Sequence, residues 1–160
     1  MIHGAGIIED KLVRDKTGES FDRVVQTKTD SAFTLARRLR PEGLKLLLFM
    51  SSVTATFGNR GQADYGAANG VLNALAALLA SRWPARVRAL NWGPWDKTGM
   101  VSEQVKAQFA GRGIQVISAP AGVAAVAREL ESGDGGPVVV FGGGPWVGEA
   151  TRARPVEVGA

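Results

Sequence analysis

Residues 44–51 constrain the fold most strongly, because they form an almost uninterrupted apolar run, LKLLLFMS. The run follows Pro41–Gly43, a combination typical of a turn. A short apolar run bounded by turn residues is typical of a β-strand that is buried on both faces, as in parallel sheets covered by helices. The chain is therefore expected to place helices on both sides of this strand.

Strand and helix patterns alternate along the rest of the sequence. Residues 87–92 (VRALNW) and 137–141 (PVVVF) are predicted to be two further strands, and helical patterns cover about residues 18–39, 65–81 and 119–131. This alternation predicts an α/β fold with a parallel sheet. Near-helical spacing over residues 98–113 further predicts a short helix on an excursion between a strand and the next helix. A substrate lid would lie in such a segment. Residues 148–160 have no periodic pattern and are predicted to be a tail.

Composition narrows the possible functions. With 160 residues and 45% hydrophobic content, the chain has the size of one domain. The absence of cysteine excludes a disulfide framework and a thiolate nucleophile, and a single histidine leaves little for zinc. The basic residues behind the net charge of +4 do not form one stripe with aromatic residues between them, so we expect no nucleic-acid partner. Neither a signal peptide nor a membrane-spanning run is present, and we expect a soluble, cytoplasmic protein without a membrane partner.

Four polar residues are candidates for chemistry: Lys28, Ser52, Tyr65 and Asn69. Ser52 follows the apolar strand, and the carboxyl ends of parallel strands line the ligand crevice. Tyr65 and Asn69 are one helical turn apart and share a helix face. A serine, a tyrosine and a cation can polarise a carbonyl and deliver a proton to its oxygen while hydride reaches the carbon. Taken singly, the serine has the alternative interpretation of a turn residue and the asparagine that of a solvated polar residue.

Lys28 is the most informative of the four, because its position on the predicted helix can be judged from periodicity. It belongs to an apolar stripe at three- and four-residue spacings, made of Phe21, Val25, Lys28, Ala32, Leu35 and Leu39. A lysine on such a stripe either extends its ammonium to the surface or is paired or functional. If it reaches the crevice, its charge is expected to lower the pKa of Tyr65 and favour proton transfer.

Two further segments fit the same site. Residues 1–6 (MIHGAG) are interpreted as the end of a strand followed by a glycine-bearing turn, which suits backbone approach to a ribose or an adenine; His3 itself is expected to be structural. Residues 91–95 (NWGPW) end a strand with a turn at the carboxyl edge of the sheet, where a flat ring could pack. The alternative for Trp92 and Trp95 is ordinary core packing.

These motifs resemble the ketoreductase domains of polyketide synthases and polyunsaturated-fatty-acid-synthase-like multienzymes, within the short-chain dehydrogenase/reductase superfamily. The similar segments are SSVTATFGNRGQADYGAAN (residues 51–69), HGAG (residues 3–6) and NWGPWDKTGM (residues 91–100). In most of the superfamily a lysine follows the tyrosine at +4. Here Asn69 is at +4 and Lys28 lies on the earlier helix, an exchange that is characteristic of the multienzyme ketoreductases.

The resemblance implies a Rossmann-like, doubly wound fold, with residues 1–147 as a partial ketoreductase domain. It implies that Tyr65 donates the proton, Ser52 holds the carbonyl oxygen, Lys28 tunes the tyrosine and contacts the nicotinamide ribose, and Asn69 supports the proton relay. It further implies NADPH as the cofactor and a β-ketoacyl thioester on an acyl carrier protein as the substrate. Implied cofactor contacts are His3, Gly4, Ala5, Gly6, Lys28, Tyr65, Gly93 and Pro94, and implied substrate contacts are Phe57, Trp95 and Met100.

Product stereochemistry is also suggested by the resemblance. Ile8-Glu9-Asp10 is similar to the family's Leu-Asp-Asp, and Phe57 stands where the opposite subtype has tryptophan. Both features favour the D-configured, B-type 3-hydroxyacyl product.

A complete domain of this family opens with a strand and a glycine-rich phosphate-binding turn, and the sequence is expected to begin after them. The chain would then be the later half of the sheet, with an open edge strand. We therefore keep two expectations: a catalytic part that needs an amino-terminal half to bind cofactor, and a non-catalytic remnant that docks on a synthase or on its own copy as a homo-oligomer.

Overall fold

The computed structural model describes residues 1–96, 107, 109–132 and 135–145. Helical turns of the 3-10 type lie at Val13–Asp15 and Pro41–Gly43. The longer elements of the described residues, in chain order, are β1 (Ile2–His3), α1 (Gly18–Arg38), β2 (Leu46–Ser52), α2 (Thr54–Phe57), α3 (Ala63–Ala80), β3 (Arg86–Trp92), α4 (Ala119–Ser132) and β4 (Val138–Phe141).

The strands form one parallel sheet in the order β1-β2-β3-β4, which confirms the predicted α/β architecture. The register pairs Ser52, the last residue of β2, with Trp92, the last residue of β3. The chain leaves β2 through a hydrogen bond from the Val53 amide to the Trp92 carbonyl, 3.0 Å long. The carboxyl ends of the two central strands are therefore level, and the residues that follow them lie at one edge of the sheet.

Alternate residues of β2 are buried on opposite faces of the sheet, as the continuous apolar run predicts. Leu47 and Phe49 belong to the core under α1 and α3, where they pack with Ala32, Leu72 and other apolar residues. Leu48 belongs to the core on the other face, under α4. Because a strand exposes alternate side chains to opposite faces, only a strand covered by helices on both sides can be apolar throughout.

Helix α1 begins at a capping threonine: the Thr17 hydroxyl oxygen accepts a hydrogen bond from the Ser20 amide. The prediction that Lys28 lies on the buried face is confirmed, since the residue is 4% exposed. The expectation for Phe21 is wrong, because its side chain is 37% exposed. The buried face runs through Ser20, Val24 and Lys28 at four-residue spacing, which turns Phe21 towards solvent.

Element boundaries differ from the sequence-based ones by one or two residues, and one helix was not predicted. Helix α3 begins at Ala63 instead of residue 65. Helix α2 has four residues, which is too short to show a period in the sequence. Of the predicted excursion, residues 109–111 are helical, whereas Met100 and the predicted tail lie outside the described residues. Among the described helices, none is both long and apolar enough to cross a membrane.

Candidate active site

Ser52 lies at the carboxyl edge of the sheet, where the sequence places it. The residue is 8% exposed, and its hydroxyl oxygen accepts a hydrogen bond of 3.2 Å from the Thr54 amide. That bond occupies a lone pair of the oxygen and leaves the hydroxyl hydrogen available for a different acceptor. The neighbouring Ser51 faces the opposite side of β2, where its hydroxyl lies 3.0 Å from the Asn73 side-chain oxygen and 3.3 Å from the Asn69 carbonyl oxygen. The two serines therefore have different environments, and the one predicted from the sequence is at the site.

Lys28 reaches the crevice instead of extending to the surface. Its ammonium donates a hydrogen bond of 2.9 Å to the Met50 carbonyl and lies 5.6 Å from the centre of the Tyr65 ring. Room for the lysine depends on Gly6, because a Cβ there would lie 2.9 Å from Lys28 Cε. The turn after β1, helix α1 and the end of β2 are thus brought together by one buried cation.

Tyr65 and Asn69 occupy the first two turns of α3. The Asn69 side-chain nitrogen Nδ2 donates to the Tyr65 backbone carbonyl at 2.7 Å. The Asn69 side-chain oxygen is fully buried but accepts no hydrogen bond from the described residues. A buried amide oxygen of this kind is an acceptor that a ligand hydroxyl or a water can use. Close packing at Gly66, where a Cβ would lie 3.2 Å from the Thr54 carbonyl oxygen, lets α2 approach this end of the helix.

Burial dominates the electrostatics of the tyrosine. It raises the pKa of the Tyr65 phenol, the hydrogen-bonding Asn69 and Ser52 side chains lower that pKa, and the charge of Asp10 raises it. The expectation that Lys28 makes this pKa lower than usual is therefore wrong for this structure, because burial outweighs the favourable neighbours. Burial also lowers the pKa of Lys28 from 10.5 to about 8. At neutral pH the site consequently holds a protonated phenol beside a charged ammonium.

The His3 ring at the end of β1 is buried, whereas the turn that follows it is exposed. The His3 ring is buried, lies 2.7 Å from the Ser31 hydroxyl through Nε2 and packs edge-on against Phe49. Burial, with the Lys28 charge, lowers the pKa of His3, so the neutral ring is favoured. These contacts support a structural role for the imidazole. Gly4, Ala5 and Gly6 are exposed, and their backbone remains a candidate for cofactor contact.

The NWGPW segment is fixed at the carboxyl edge by backbone hydrogen bonds. The Gly93 amide donates to the Phe141 carbonyl, and the Pro94 carbonyl accepts from the Ile117 amide, each at 2.7 Å. The Trp95 ring lies 4.8 Å from that of Trp92 and fits against α4.

Phe57, the other described residue expected at the substrate, is half-buried at the end of α2. The Trp95 ring contacts Trp92 and Gly122. Contact of Trp95 and Phe57 with a substrate stays a prediction.

One contact near the site was not predicted: a buried ion pair between Lys16 and Asp64, the residue before Tyr65. The partners are far apart in the sequence, and each alone has the pattern of an ordinary surface charge. An acidic residue in the first helical turn is explained by the helix dipole, so nothing local indicates a buried partner. Only the tertiary arrangement brings the two charges together.

Comparison with known proteins identifies the family. The model of the KR domain family matches residues 1–97, which is more than half of the chain. The chain belongs to the KR, or ketoreductase, domain family. The chain is 35% identical over 128 residues to a polyunsaturated fatty acid synthase of Thraustochytrium sp. and 32% identical over 139 residues to the polyketide synthase PksN of Bacillus subtilis. These alignments cover 80% and 86% of the chain.

Solved ketoreductase structures share the fold. PlmKR1, from the first module of phoslactomycin biosynthesis in Streptomyces sp. HK803, aligns over 91% of the chain with a TM-score of 0.82 and 28% identity. A ketoreductase domain from the bacillaene assembly line aligns over 89% with a TM-score of 0.77 and 32% identity. The sheet is therefore that of a Rossmann-like ketoreductase of the short-chain dehydrogenase/reductase type.

The matched region is a small part of each relative. The chain spans 4% of the length of the Thraustochytrium synthase polypeptide and 2% of that of PksN. It covers 33% of the PlmKR1 chain and 36% of the bacillaene ketoreductase chain. The chain therefore spans about a third of the solved ketoreductase chains and a few per cent of the synthases.

Proposed function

We propose that this chain bears the catalytic groups for NADPH-dependent reduction of a β-ketoacyl thioester to the 3-hydroxyacyl thioester in polyketide or fatty-acid biosynthesis. The observation that carries the proposal is the meeting of Lys28, Ser52, Tyr65 and Asn69 at the carboxyl edge of the sheet. The family supports the ketone-reducing chemistry, and the particular cofactor, substrate and residue roles are the proposal.

Proton delivery is the part of the reaction that this chain would perform. The Ser52 hydroxyl, with its oxygen already accepting from Thr54, donates to the ketone oxygen and holds the carbonyl. Tyr65 donates its phenolic proton to that oxygen as the alkoxide develops. Its raised pKa keeps the proton on the phenol at neutral pH until negative charge appears on the substrate. The Lys28 charge, 5.6 Å from the ring, then stabilises the tyrosinate.

The residues present fit the nicotinamide-ribose end of a dinucleotide. When bound, the cofactor supplies the hydride. Lys28 and Tyr65 would bind the ribose hydroxyls, the backbone of Gly4–Gly6 would approach the sugar, and Gly93 and Pro94 would bound the nicotinamide ring. The buried, unpaired oxygen of Asn69 supports this fit, because it offers an acceptor for the relay that returns a proton to Tyr65. We assign no described residue to the pyrophosphate, and an additional amino-terminal segment would supply that contact.

An acyl carrier protein would present the substrate, with Phe57 and Trp95 beside the acyl chain together with Met100, which lies outside the described residues. Asp10 accepts a hydrogen bond of 2.9 Å from the side chain of Gln62, the residue that precedes α3, which supports a role of its segment in substrate orientation. We expect the D-configured, B-type product. The test is chiral analysis of the 3-hydroxyacyl product; the opposite configuration would refute the stereochemical assignment.

A second function is favoured by the edge of the sheet. Among the described strands β1 pairs with β2 alone, and Ile2 is 61% exposed. Such an edge can pair with a further segment, a synthase or a second copy. Formation of the 3-hydroxyacyl product from NADPH and a β-keto thioester, followed by mass spectrometry, separates the two functions. A folded, NADPH-binding protein that forms none of this product would support the non-catalytic interaction module.

A further inference from the structure

Lys16 and Asp64 form a buried ion pair that is hydrogen-bonded to the backbone of the candidate proton donor. The Lys16 ammonium lies 2.5 Å from Asp64 Oδ2, and the two side chains are 3% and 1% exposed. The other oxygen, Oδ1, accepts a hydrogen bond of 2.9 Å from the Tyr65 amide. Both carboxylate oxygens are thus engaged, one by the cation and one by the backbone of the residue that carries the phenol.

The same lysine connects this pair to the segment of residues 9–16. Its ammonium also donates to the Glu9 carbonyl at 2.6 Å. The Glu9 side chain in turn accepts hydrogen bonds from Ser20 and Arg23 of α1, the helix that presents Lys28. A continuous set of polar contacts therefore joins the helix of the candidate cation to the helix of the candidate proton donor.

Two further contacts fix the segment on the beginning of α3. The Lys11 amide donates to the Gly61 carbonyl at 3.0 Å, and the Gln62 side chain donates to Asp10 at 2.9 Å. These bonds are at or near the surface, where a single hydrogen bond contributes about 1 kcal/mol. The buried Lys16–Asp64 pair differs from them, because removing one partner leaves an uncompensated charge inside the protein.

We propose that Lys16 and Asp64 are positioning residues of the candidate site: their ion pair holds residues 9–16 on the first turn of α3 and neutralises the carboxylate beside Tyr65. This inference deepens the proposed reductase function and rests on it for its catalytic meaning. A neutral pair lets the carboxylate orient the backbone of Tyr65 without placing a net negative charge next to a phenol that must become a tyrosinate.

The charges around Tyr65 allow the role of the pair to be tested through the ionisation of the phenol. The phenol is faced by Lys28 from α1 and by Asp10 from the tethered segment, and the Lys16–Asp64 pair is bonded to the backbone amide of the same residue. Lys16→Met would leave Asp64 as an uncompensated anion, which disfavours tyrosinate. Asp64→Asn would leave Lys16 as an uncompensated cation, which favours it. The combined Lys16→Met/Asp64→Asn variant removes both charges and should return the phenol close to its original behaviour.

Tyr65 is the only tyrosine in the sequence, so ultraviolet titration of the whole chain reports its ionisation without cofactor or substrate. We expect the midpoint to move upward in Lys16→Met, downward in Asp64→Asn and little in the double variant. Circular dichroism at each pH checks that the protein remains folded. The matched control is Glu19→Gln, which removes one partner of the exposed Arg23–Glu19 pair and should leave the midpoint unchanged.

Shifts of the same sign in both single variants would overturn the inference, because they would report a general loosening around Tyr65. If Lys16→Met fails to fold, the double variant decides: a folded double variant supports the burial of an uncompensated carboxylate as the cause, and an unfolded one refutes it. Asp64→Asn still tests the downward shift. Opposite shifts, in a folded protein that binds NADPH once the amino-terminal segment is added but reduces no thioester, would uphold the pair and reject the reductase function. Reduction with unshifted midpoints would reject the pair and uphold the reductase function.

Discussion

Lys28 illustrates how a single residue can be placed for chemistry at the expense of stability. The residue is almost fully buried, and its ammonium donates a hydrogen bond to the Met50 carbonyl. Burial disfavours its charged form, which is why its pKa falls to about 8. A residue selected for stability alone at this position would be apolar. We interpret the retained lysine as a functional group whose charge the site requires.

Lys28→Met should therefore stabilise the fold near neutral pH. The native pKa lies below the ordinary 10.5, so the native protein loses stability as the pH falls from about 10.5 to about 8, and the full cost is present below that. The shift corresponds to about 3 kcal/mol at most. We expect the free energy of unfolding to rise in the variant at pH 7 and the difference to fade in alkali, measured by urea denaturation across this range.

The control for this prediction is Lys45→Met, because Lys45 is exposed. It should change the free energy of unfolding by about 0.5 kcal/mol or less. A Lys28→Met variant that is less stable than the original at neutral pH would show that the ammonium is better compensated than its burial indicates.

The two adjacent serines allow a matched test of the carbonyl-holding role. Ser52→Ala removes a hydrogen-bond donor to the ketone oxygen and should lower the rate of reduction by about 10²-fold. Ser51→Ala removes the contacts with the Asn73 side chain and the Asn69 carbonyl and should cost about 1 kcal/mol of stability, with a smaller loss of rate than Ser52→Ala. Steady-state rates and thermal denaturation of both variants check the prediction, and equal losses of rate would contradict it.

At the scale of elements, α4 depends on a glycine to accommodate Trp95. A Cβ at Gly122 would lie 2.1 Å from the indole ring, whereas a Cβ at Gly70 in α3 would meet no other atom within 4 Å. Gly122→Ala should therefore displace the ring and destabilise the protein by about 1 to 3 kcal/mol. Gly70→Ala should stabilise it by about 0.5 to 1 kcal/mol, because alanine favours a helix interior.

Urea denaturation and tryptophan fluorescence distinguish these two outcomes. The fluorescence of Gly122→Ala should change even in the folded state, because the indole environment changes. A stable Gly122→Ala protein with an unaltered spectrum would show that Trp95 is not held against α4.

Sequence patterns predict the elements better than the contacts between them. The apolar run of β2 and the stripe that contains Lys28 are local signals, so the central strand and the buried lysine were both predictable. Phe21 and α2 were not, because a small rotation of a helix and a four-residue helix leave little periodic signal. The Lys16–Asp64 pair was not predictable either, since it depends on how residues distant in the sequence are brought together.

At the scale of the whole molecule, the candidate site exists only when the fold is complete. Lys28 comes from α1, Ser52 from the end of β2, Tyr65 from the start of α3, and Gly6 follows β1. The parallel sheet sets the relative heights of these elements, and its two cores hold them in place. Catalytic competence should consequently be lost together with tertiary structure in one cooperative transition.

The rate of NADPH oxidation with a β-keto thioester, compared between the original sequence and Tyr65→Phe, tests whether this chain bears the proton donor of a ketoreductase. We would measure the 160-residue chain alone and then with the amino-terminal segment of a ketoreductase relative added. We expect reduction once the amino-terminal segment is present, and a loss of about 10²-fold or more in Tyr65→Phe with NADPH binding retained. Undiminished turnover in Tyr65→Phe, or no turnover by a folded protein with bound NADPH, would contradict this assignment of the proton donor.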